Sequence, residues 1–491
     1  MKNNNYHYTK NINEIINNRK NKINILRNHG INPYPSQYHK QIDILEVQNK
    51  FNKLSIGQCS DTIIKICGRI ISIRKMGQVM FFDIQDGVSK IQIYVNKSIM
   101  GKDKYTLLKK VIDVSDIIAV EGKPFKTKTN ELSIIINQWQ ILTKALRPLP
   151  EKWNGLKDIE IRYRQRHIDL IVNRKSKDVF IKRSIALFAI RTKLTELGFI
   201  EVETPILQSI AGGASAQPFI THHNALNTNL FLRVSPELFL KRLIIGGMDK
   251  VFEIGKSFRN EGIDSTHTPE FTMIEIYQAY ANYNDMLNLA ETLIQTVAKA
   301  LNSKTNLKFK KAQIFDLINE YTGLDLLPYI ETEGEMFKRV KHLNLKISEN
   351  ATNKKVLEQI IDEKILPNLH APFFLMDYPS VYSPLAKMKE HNVKIAERFE
   401  IYINKLEIGN AYSELNDPEI QKNNFIRQIE TKKNKSNNET VSSYDQDFIC
   451  ALEQGLPPTG GLGIGIDRLI MVLTEIQSIR DVILFPTLKP E

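Results

Sequence analysis

The chain has 491 residues, of which 42% are hydrophobic and 25% charged, an ordinary composition for a globular protein with more than one domain. Lys and Arg exceed Asp and Glu by 67 to 55, and the net charge of +12 favours a polyanionic partner. The three cysteines form no CxxC motif or Cys/His cluster, which argues against a zinc site and for a reduced, cytoplasmic setting. The sequence shows no secretion signal and no apolar run of bilayer length, so we expect no membrane partner.

Residues 1–60 are basic and rich in asparagine, and we predict that they form a helical extension. Apolar residues recur there at helical spacing among lysines and arginines: Ile12, Ile15, Ile16, Ile23 and Leu26. A basic helix of this kind either contacts an RNA backbone or presents a solvated charged face. The pattern leaves both interpretations open.

Residues 61–146 contain about five strand-like segments and a short helical segment near residues 105–111, which predicts an OB-fold β-barrel. Barrels of this type bind single-stranded nucleic acid by stacking bases on aromatic rings along a basic groove. Phe81 and Phe82 are adjacent in a strand, so one ring should face the interior and the other the surface. The alternative is that both rings belong to the core.

A second domain is predicted over residues 147–491, because Pro148 and Pro150 mark a plausible boundary. Residues 178–197 carry a helical apolar stripe that ends at Gly198, and a strand containing Pro205 follows. Further on, Gly213 allows backbone to approach a ligand closely, and Glu237 follows Pro236 at a probable helix start.

Residues 250–280 read as strand, polar loop and strand. The two-residue period of a strand puts Arg259 and Glu261 on one face of the first strand. It also puts an aromatic ring, a carboxylate and a phenol on one face of the second: Phe271, Glu275 and Tyr277. A core does not combine such groups, since buried charges are costly unless paired. A solvated sheet face is the other interpretation.

Residues 396–417 are predicted to form a hairpin that turns at Asn404 and Lys405. This turn places Glu400 and Glu407 diagonally on one face, where two carboxylates repel unless a cation lies between them. Mg²⁺ bound with ATP phosphates would be such a cation. Three more polar residues alternate with the opposite parity, namely Asn410, Tyr412 and Glu414, and a bulge at residues 409–410 would bring them to the same site.

The remaining segments carry helices and a glycine-rich strand. We find no catalytic signature between Asn284 and Leu366 and predict an insertion around residues 300–370. Near the C-terminus, glycines at positions 460, 461, 463 and 465 indicate close backbone approach within a strand. Asp467 is predicted to cap the following helix, with Arg468 in its first turn.

These motifs together resemble those of a known family. FRNEG, His267 and PEFTMIEIYQAY resemble the second signature of class II aminoacyl-tRNA synthetases in its lysine-specific form, and GIGIDR resembles the third. The helix and strand before Pro205 resemble the first signature, which builds a dimer interface. Residues 61–143 resemble the anticodon-binding domain of the lysyl, aspartyl and asparaginyl enzymes. The resemblance implies an α+β fold, in which an OB-fold β-barrel precedes a catalytic domain built on an antiparallel sheet flanked by helices.

The resemblance to class II lysyl-tRNA synthetases also implies an activity and a set of residue roles. A cytoplasmic homodimer would activate lysine with ATP and Mg²⁺ and transfer it to the 3′ end of tRNA(Lys). The resemblance assigns catalysis to Arg259 and Arg468. It assigns ATP binding to Arg259, Glu261, His267, Phe271 and Arg468. It assigns lysine binding to Gly213, Glu237, Glu275, Tyr277, Asn410, Tyr412 and Glu414. Glu400 and Glu407 would hold the metal, and Arg69, Phe81 and Gln92 would contact the anticodon.

Two other functions share parts of this pattern. An aspartyl or asparaginyl synthetase has the same architecture, but Glu414 with Tyr277 suits an ammonium group better than a carboxylate or amide. A non-catalytic RNA-binding paralogue would tolerate losses among the charged positions, and we find none. One departure from the bacterial pattern is Tyr412, where relatives often carry Phe.

Overall fold

The computed structural model describes residues 2–150, 158–210, 212, 213, 216–433 and 444–490. By its contacts the chain divides into two compact units, Met1–Lys157 and Asp158–Glu491. The linker predicted after Arg147 runs into residues 151–157, which lie outside the described residues. No helix within the described ranges is both long and apolar enough to cross a membrane.

The first unit contains a closed barrel in which the strands follow the order β1-β2-β3-β5-β4. Its strands are β1 (Ile64–Met76), β2 (Val79–Gln85), β3 (Lys90–Asn96), β4 (Ile117–Lys126) and β5 (Leu132–Thr143). Its helices are α1 (Lys2–Asn28), α2 (Ile44–Phe51), α3 (Lys97–Met100) and α4 (Lys102–Val111). The predicted barrel and its helix near residues 105–111 are confirmed.

Strand β2 alternates strictly, because a strand turns successive side chains to opposite faces. Phe82 is fully buried in the barrel, whereas the neighbouring Phe81 is half-buried on the outer face. The prediction that one ring faces in and one out is therefore confirmed. The helical stripe of the N-terminal extension also packs here, with Leu26 in the barrel core and Arg19 donating to the carbonyl of Ala145 at 2.9 Å.

The second unit is built on a sheet that has eight strands in the described residues, in the order β12-β13-β16-β17-β18-β11-β10-β6. Neighbouring strands are antiparallel except at β12–β13 and β10–β6. The strands are β6 (Ile200–Glu201), β10 (Lys250–Phe258), β11 (Glu270–Ala279), β12 (Lys310–Gln313), β13 (Phe373–Met376), β16 (Arg398–Ile403), β17 (Leu406–Ser413) and β18 (Thr459–Gly465).

Two small sheets accompany it, one ordered β7-β9-β8 and one made of β14 and β15. Their strands are β7 (Leu207–Gln208), β8 (Ile220–His223), β9 (Thr228–Leu232), β14 (Met388–Lys389) and β15 (Asn392–Ala396).

Helices cover the large sheet and bury its apolar side. They are α5 (Ile159–Arg164), α6 (Arg166–Val172), α7 (Arg174–Glu196), α8 (Glu237–Ile245), α9 (Tyr283–Ala300), α10 (Ile314–Thr322), α11 (Glu335–Val340), α12 (Asn353–Ile360), α13 (Pro418–Lys433), α14 (Gln446–Leu452) and α15 (Ile466–Leu473). Short helical turns occur at Leu327–Tyr329, Lys341–Leu343, Ile361–Ile365, Leu366–Asn368, Ser380–Tyr382 and Ile479–Asp481. Helices α7, α9 and α15 share one core with the sheet, whereas α10, α11 and α12 surround a separate cluster.

Helix α7 begins before the predicted residue 178 and ends where predicted. Gly198 has a φ of +83° just beyond the helix, and its N–H bonds the carbonyl of Thr195 at 3.0 Å. This left-handed position is one that glycine adopts without strain, which makes it a helix terminator. Ile190 and Leu194 on the predicted stripe are buried against the sheet.

The central strand pair β10–β11 differs in one respect from the sequence prediction. Strand β10 ends at Phe258, so Arg259 and Glu261 lie in the loop beyond it and not on the strand. The backbone N–H of Arg259 still bonds the carbonyl of Pro269 at 2.8 Å, which anchors the start of that loop. On β11 the predicted alternation is present and places Phe271, Glu275 and Tyr277 on one face.

The hairpin β16–β17 turns where predicted, because Asn404 and Lys405 both adopt positive φ, at 52° and 67°. Its register pairs Tyr402 with Glu407 and then Ile401 with Gly409. Ile408 is therefore the extra residue of a β-bulge, one position before the predicted bulge at residues 409–410. The bulge turns the residues after it to the face that carries Glu407.

Candidate active site

Two adjacent cavities open on one face of the large sheet in the second unit. The larger is about 360 Å³ and reaches helix α8, and the smaller is about 230 Å³ and reaches the start of helix α15. Four residues line both cavities, namely Arg259, Met273, Asn410 and Gly463. Two ligands, or two parts of one reaction, can therefore meet beside the Arg259 guanidinium.

The larger cavity is walled by buried carboxylates from different elements. Glu275 on β11 accepts from the hydroxyl of Ser235 at 2.6 Å and from that of Tyr277 at 3.1 Å. Burial, and next the charge of Glu237, raise the pKa of Glu275 to about 7. Glu237 begins helix α8, as predicted, and accepts from the hydroxyl of Tyr412 at 2.8 Å.

Glu414 follows strand β17 and is only 1% exposed. Its Oε2 forms an ion pair with Lys241 of helix α8, and apart from that pair neither of its buried oxygens has a hydrogen-bond partner among the described residues. A side chain at Gly461 would collide with Oε1 of Glu414 and with the Tyr277 ring, so the glycine is needed for space. Burial raises the pKa of Glu414 well above its usual value, against the opposing effect of Lys241.

The backbone of Gly213 enters the same cavity. Its φ of +85° suits glycine, and an added Cβ would lie 3.1 Å from the Ser235 hydroxyl and 3.3 Å from the Glu237 side chain. The absence of a side chain therefore leaves its backbone groups accessible to a ligand beside Glu237. Asn410 and Tyr412, both beyond the bulge of β17, line the same wall.

The smaller cavity contains a flat ring and two guanidinium groups. The guanidinium of Arg259 lies 5.1 Å from the Phe271 ring centre, and its buried Nε has no partner among the described residues. Glu261 and His267 line the cavity from the loop between β10 and β11. An unpartnered buried guanidinium nitrogen is costly, so this position favours an anionic ligand.

Arg468 lies across the same cavity in the first turn of α15, as predicted. It donates to the carbonyl of Glu407 at 2.9 Å and is 2.9 Å from Nε2 of His267. Asp467 does not cap the helix as predicted, because Gly465 is the cap residue. The Asp467 carboxylate instead accepts from the Arg183 guanidinium and from the backbone N–H of Thr272 at 2.7 Å, which fixes α15 to the sheet.

Glu400 and Glu407 face the same side of the hairpin, in agreement with the predicted register. Glu400 accepts from Arg398 at 2.6 Å and from the hydroxyls of Tyr378 and Tyr402. Burial, and next the charge of Glu400, raise the pKa of Glu407 to about 7, although 37% of the Glu407 side chain is accessible and solvent moderates the effect.

The two carboxylates do not form a complete metal site by themselves. Within the described residues, no group of three or more His, Cys, Asp or Glu side chains is arranged to hold a metal ion. Besides burial, the charge of Glu400 raises the pKa of Glu407, and a divalent cation bound beside the pair would offset that repulsion. Mg²⁺ suits such a pair, because it takes one or two carboxylates and completes its shell with phosphate oxygens and water.

The predicted anticodon-binding residues lie on the outer face of the barrel in the first unit. Phe81 pairs across the strands with Tyr94, its ring 5.1 Å from the tyrosine ring, and Arg74 lies 5.9 Å from the Phe81 ring centre. Gln92 is paired with Asp83, two positions along the same face, and bonds Ser133 and Glu131. Arg69 pairs with Gln85 on β1 and donates to the carbonyl of Ser115 at 2.8 Å.

Sequence reasoning missed several residues of the site. Ser235 and Arg398 hold carboxylates that the prediction named, and Lys241 pairs with two of them. A signal for Lys241 was present, since it follows Glu237 by four residues on a mostly apolar helix. Burial of the pair depends on tertiary contacts, which the local pattern does not contain.

Comparison with known proteins identifies the family of both units. Residues 158–489 match the family described as tRNA synthetases class II (D, K and N), and residues 64–142 match the OB-fold nucleic acid binding domain. Lysine–tRNA ligase of Thermoanaerobacter pseudethanolicus is 45% identical over 98% of this chain and 97% of its own length. That of Carboxydothermus hydrogenoformans is 44% identical over 98% and 99%, and that of Aquifex aeolicus is 45% identical over 87% and 73%.

Proposed function

We propose residue roles for this chain, which belongs to the class II tRNA synthetases and, within them, to the lysine–tRNA ligases. Its function is to join lysine to tRNA. The observation that carries the residue assignment is the buried carboxylate of Glu414, whose Oε1 lacks a partner among the described residues and adjoins Gly461, a residue that lines the larger cavity. A substrate ammonium group would satisfy that oxygen, and a substrate carboxylate would be repelled.

The first reaction step would occur where the two cavities meet. A carboxylate oxygen of lysine attacks the α-phosphorus of ATP, a new oxygen–phosphorus bond forms, and pyrophosphate leaves. The lysine carboxylate is already a nucleophile, so the protein needs no base and no covalent intermediate. Arg259 lines both cavities and would hold the carboxylate and the α-phosphate together, stabilising charge by position.

ATP would occupy the smaller cavity. Phe271 would stack on one face of adenine and Arg468 would cover the other and reach the γ-phosphate. Glu261 would accept from the adenine amino group. His267 would contact the outer phosphates, which its position 2.9 Å from Arg468 supports.

Lysine would occupy the larger cavity, with its α-ammonium between Glu237 and Glu275 and against the backbone of Gly213. The Tyr277 hydroxyl and Glu414 would hold the ε-ammonium. Asn410 and Tyr412 would form the wall between the two ends. Such a pocket selects a diamine by charge as well as by length.

Glu400 and Glu407 would hold Mg²⁺ together with the ATP phosphates. The ion would neutralise charge on the triphosphate and on the departing pyrophosphate. Arg398 and two tyrosine hydroxyls hold Glu400 in place, so this carboxylate is oriented by the protein alone.

The second step transfers lysine to tRNA(Lys). A hydroxyl at the tRNA 3′ end attacks the carbonyl carbon of lysyl-adenylate, and AMP leaves as the new ester forms. The barrel would bind the anticodon, with Phe81 stacking on a base and Arg69 and Gln92 contacting bases. We accordingly assign residues 1–60 to a basic extension and residues 61–146 to the anticodon domain. Residues 147–491 are assigned to the catalytic domain with its insertion.

A homodimer would bury the outer face of helix α7. Ile181, Ile185 and Phe188 are exposed on that helix, and Phe188 is 72% exposed, which is unusual for a large apolar side chain. A cytoplasmic setting follows from the partner, because tRNA is used there in translation.

ATP–pyrophosphate exchange, measured with each of the twenty amino acids, tests the proposed roles together. Exchange should depend on lysine and should be insensitive to aspartate and asparagine. Exchange that is driven by aspartate or asparagine would contradict the assignment of Glu414. Aminoacylation of tRNA, measured beside exchange without tRNA, separates the roles of the barrel from the catalytic roles.

A further inference from the structure

Lys241 is a buried charged residue that the roles above leave unused. Its side chain is fully buried on helix α8, and its Nζ lies 2.6 Å from Oε1 of Glu237 and forms an ion pair with Glu414. The rings of Tyr412 and Phe448 have their centres 5.7 and 5.9 Å from the same nitrogen. The ammonium group therefore contacts two of the acids to which we assign the substrate's ammonium groups.

A Glu–Lys pair four residues apart on a helix is usually a surface feature worth a few tenths of a kcal/mol. This pair is different, because both side chains are buried and the lysine reaches a third element at Glu414. A buried ammonium is costly unless it is well paired, and hydrophobic replacements are often as stable. Stability of the helix is therefore a weak explanation for a lysine at this position.

Lys241 changes the charge around the carboxylates assigned to the substrate. Glu237, Glu275 and Glu414 contribute three carboxylates, and Lys241 contributes one ammonium. With all four ionised, these four groups have a net charge of −2. Free lysine brings two ammonium groups, and its carboxylate is matched separately by Arg259.

The contacts also divide the carboxylate oxygens between the protein and a ligand. Lys241 contacts one oxygen of Glu237 and one of Glu414. The other oxygen of Glu414 has no hydrogen-bond partner among the described residues. The ammonium thus holds Glu414 through Oε2 and leaves Oε1, which adjoins Gly461 of the cavity lining, for a ligand.

We propose that Lys241 is a positioning residue for substrate lysine, whose ammonium holds the Glu414 carboxylate in the orientation that receives one of the two ammonium groups of the substrate. This inference rests on the proposed function, since it assumes that Glu414 receives the ε-ammonium. It adds that specificity for lysine depends on a cation supplied by the protein itself.

Electrostatics give the sign of the effect. The groups facing Glu414 are Lys241 and Glu237 from α8, Glu275 and Tyr277 from β11, and Tyr412 from β17. Burial raises the pKa of Glu414 and Lys241 lowers it, so removing the ammonium raises that pKa further. Glu414 would then keep its proton to higher pH, and lysine would have to displace that proton in order to bind.

The test compares Lys241→Met with a matched control, Lys144→Met. Lys144 is equally buried and is paired with Asp113 and Asp116, but it lies in the barrel unit. In ATP–pyrophosphate exchange at pH 7, Lys241→Met should raise the KM for lysine at least about tenfold and leave the KM for ATP within about twofold. The KM for lysine should also fall more steeply with rising pH than in the unmodified chain. Lys144→Met should leave both KM values unchanged, whatever it does to the melting temperature.

A double variant distinguishes positioning from a general structural role. If Lys241 acts through Glu414, then Lys241→Met combined with Glu414→Gln should have nearly the KM for lysine of Glu414→Gln alone. The inference would be wrong if the double variant showed the product of the two single effects on the KM for lysine. It would also be wrong if Lys241→Met left the KM for lysine and its pH profile unchanged. Should Lys241→Met fail to fold by circular dichroism, Lys241→Gln is measured in its place with the same expectations. A normal KM for lysine in Glu414→Gln would instead refute the proposed function, so the two failures are distinct.

Discussion

Glu414→Gln is the most direct test of the proposed lysine pocket. The substitution keeps the shape of the side chain and removes its negative charge, at a position that is 1% exposed. Lys241 stays in place and loses one of its two carboxylate partners. The change therefore removes attraction for the ε-ammonium without opening a cavity.

The expected loss follows from the burial of the pair. Two unit charges about 4 Å apart interact by about 4 kcal/mol at an effective dielectric constant of about 20. Truncating one partner of a buried charge pair costs roughly 2–5 kcal/mol in binding, and about 1.4 kcal/mol corresponds to tenfold. We therefore expect the KM for lysine to rise at least about 30-fold.

The assay is lysine-dependent ATP–pyrophosphate exchange with lysine and ATP varied separately. The KM for ATP should stay near normal, because Glu414 adjoins Gly461, which lines the larger cavity and not the smaller one. Glu270→Gln is a suitable control, since it removes an exposed pair with Lys256 that is worth at most about 1 kcal/mol. A KM for lysine in Glu414→Gln that matches the control would refute the assignment of the ε-ammonium.

Three further predictions concern the barrel, the carboxylate pair and pH. Phe81→Ala should weaken the use of tRNA by about 1–3 kcal/mol, while exchange, which needs no tRNA, is retained; loss of exchange or unfolding by circular dichroism would show that the ring is structural. Glu407→Gln should raise the Mg²⁺ concentration needed for half-maximal exchange and affect transfer from preformed lysyl-adenylate less, and an unchanged Mg²⁺ dependence would exclude the role. Since the pKa of Glu275 is raised to about 7, this carboxyl is mostly protonated at pH 6 and ionised at pH 8. The KM for lysine should therefore fall between these values, and Glu275→Gln should flatten this part of the profile if the carboxylate binds the α-ammonium.

Local patterns in the sequence were sufficient for the barrel, helix α7, strand β11 and the hairpin register. The turn at Asn404 and Lys405 has positive φ at both residues, and that geometry sets which residues pair across the hairpin. Strand order was less accessible, because β18 lies between β11 and β17, which are far from it in the chain. The alternation of apolar and polar residues in one segment does not show which distant strand it pairs with.

The position of the bulge and the role of Lys241 also depend on contacts with distant parts of the chain. The bulge was predicted at residues 409–410 because glycine is common in bulges, but Gly409 is needed for space against the backbone of Gly463. The bulged residue is Ile408. The role of Lys241 could not be inferred from its helix, because Glu414 reaches it from another part of the chain.

Because of the bulge at Ile408, the number of residues in strand β17 matters for function as much as their identity. Regular pairing of the same residues would put Ile408 opposite Ile401 and would turn Asn410, Tyr412 and Glu414 to the side opposite Glu407. The protein would keep every side chain to which we assign a part in catalysis or binding and would still lose the site. A one-residue insertion or deletion in this strand, other than loss of Ile408 itself, should therefore be rejected even where substitutions are accepted, and a library that varies the length of this strand would test the site directly.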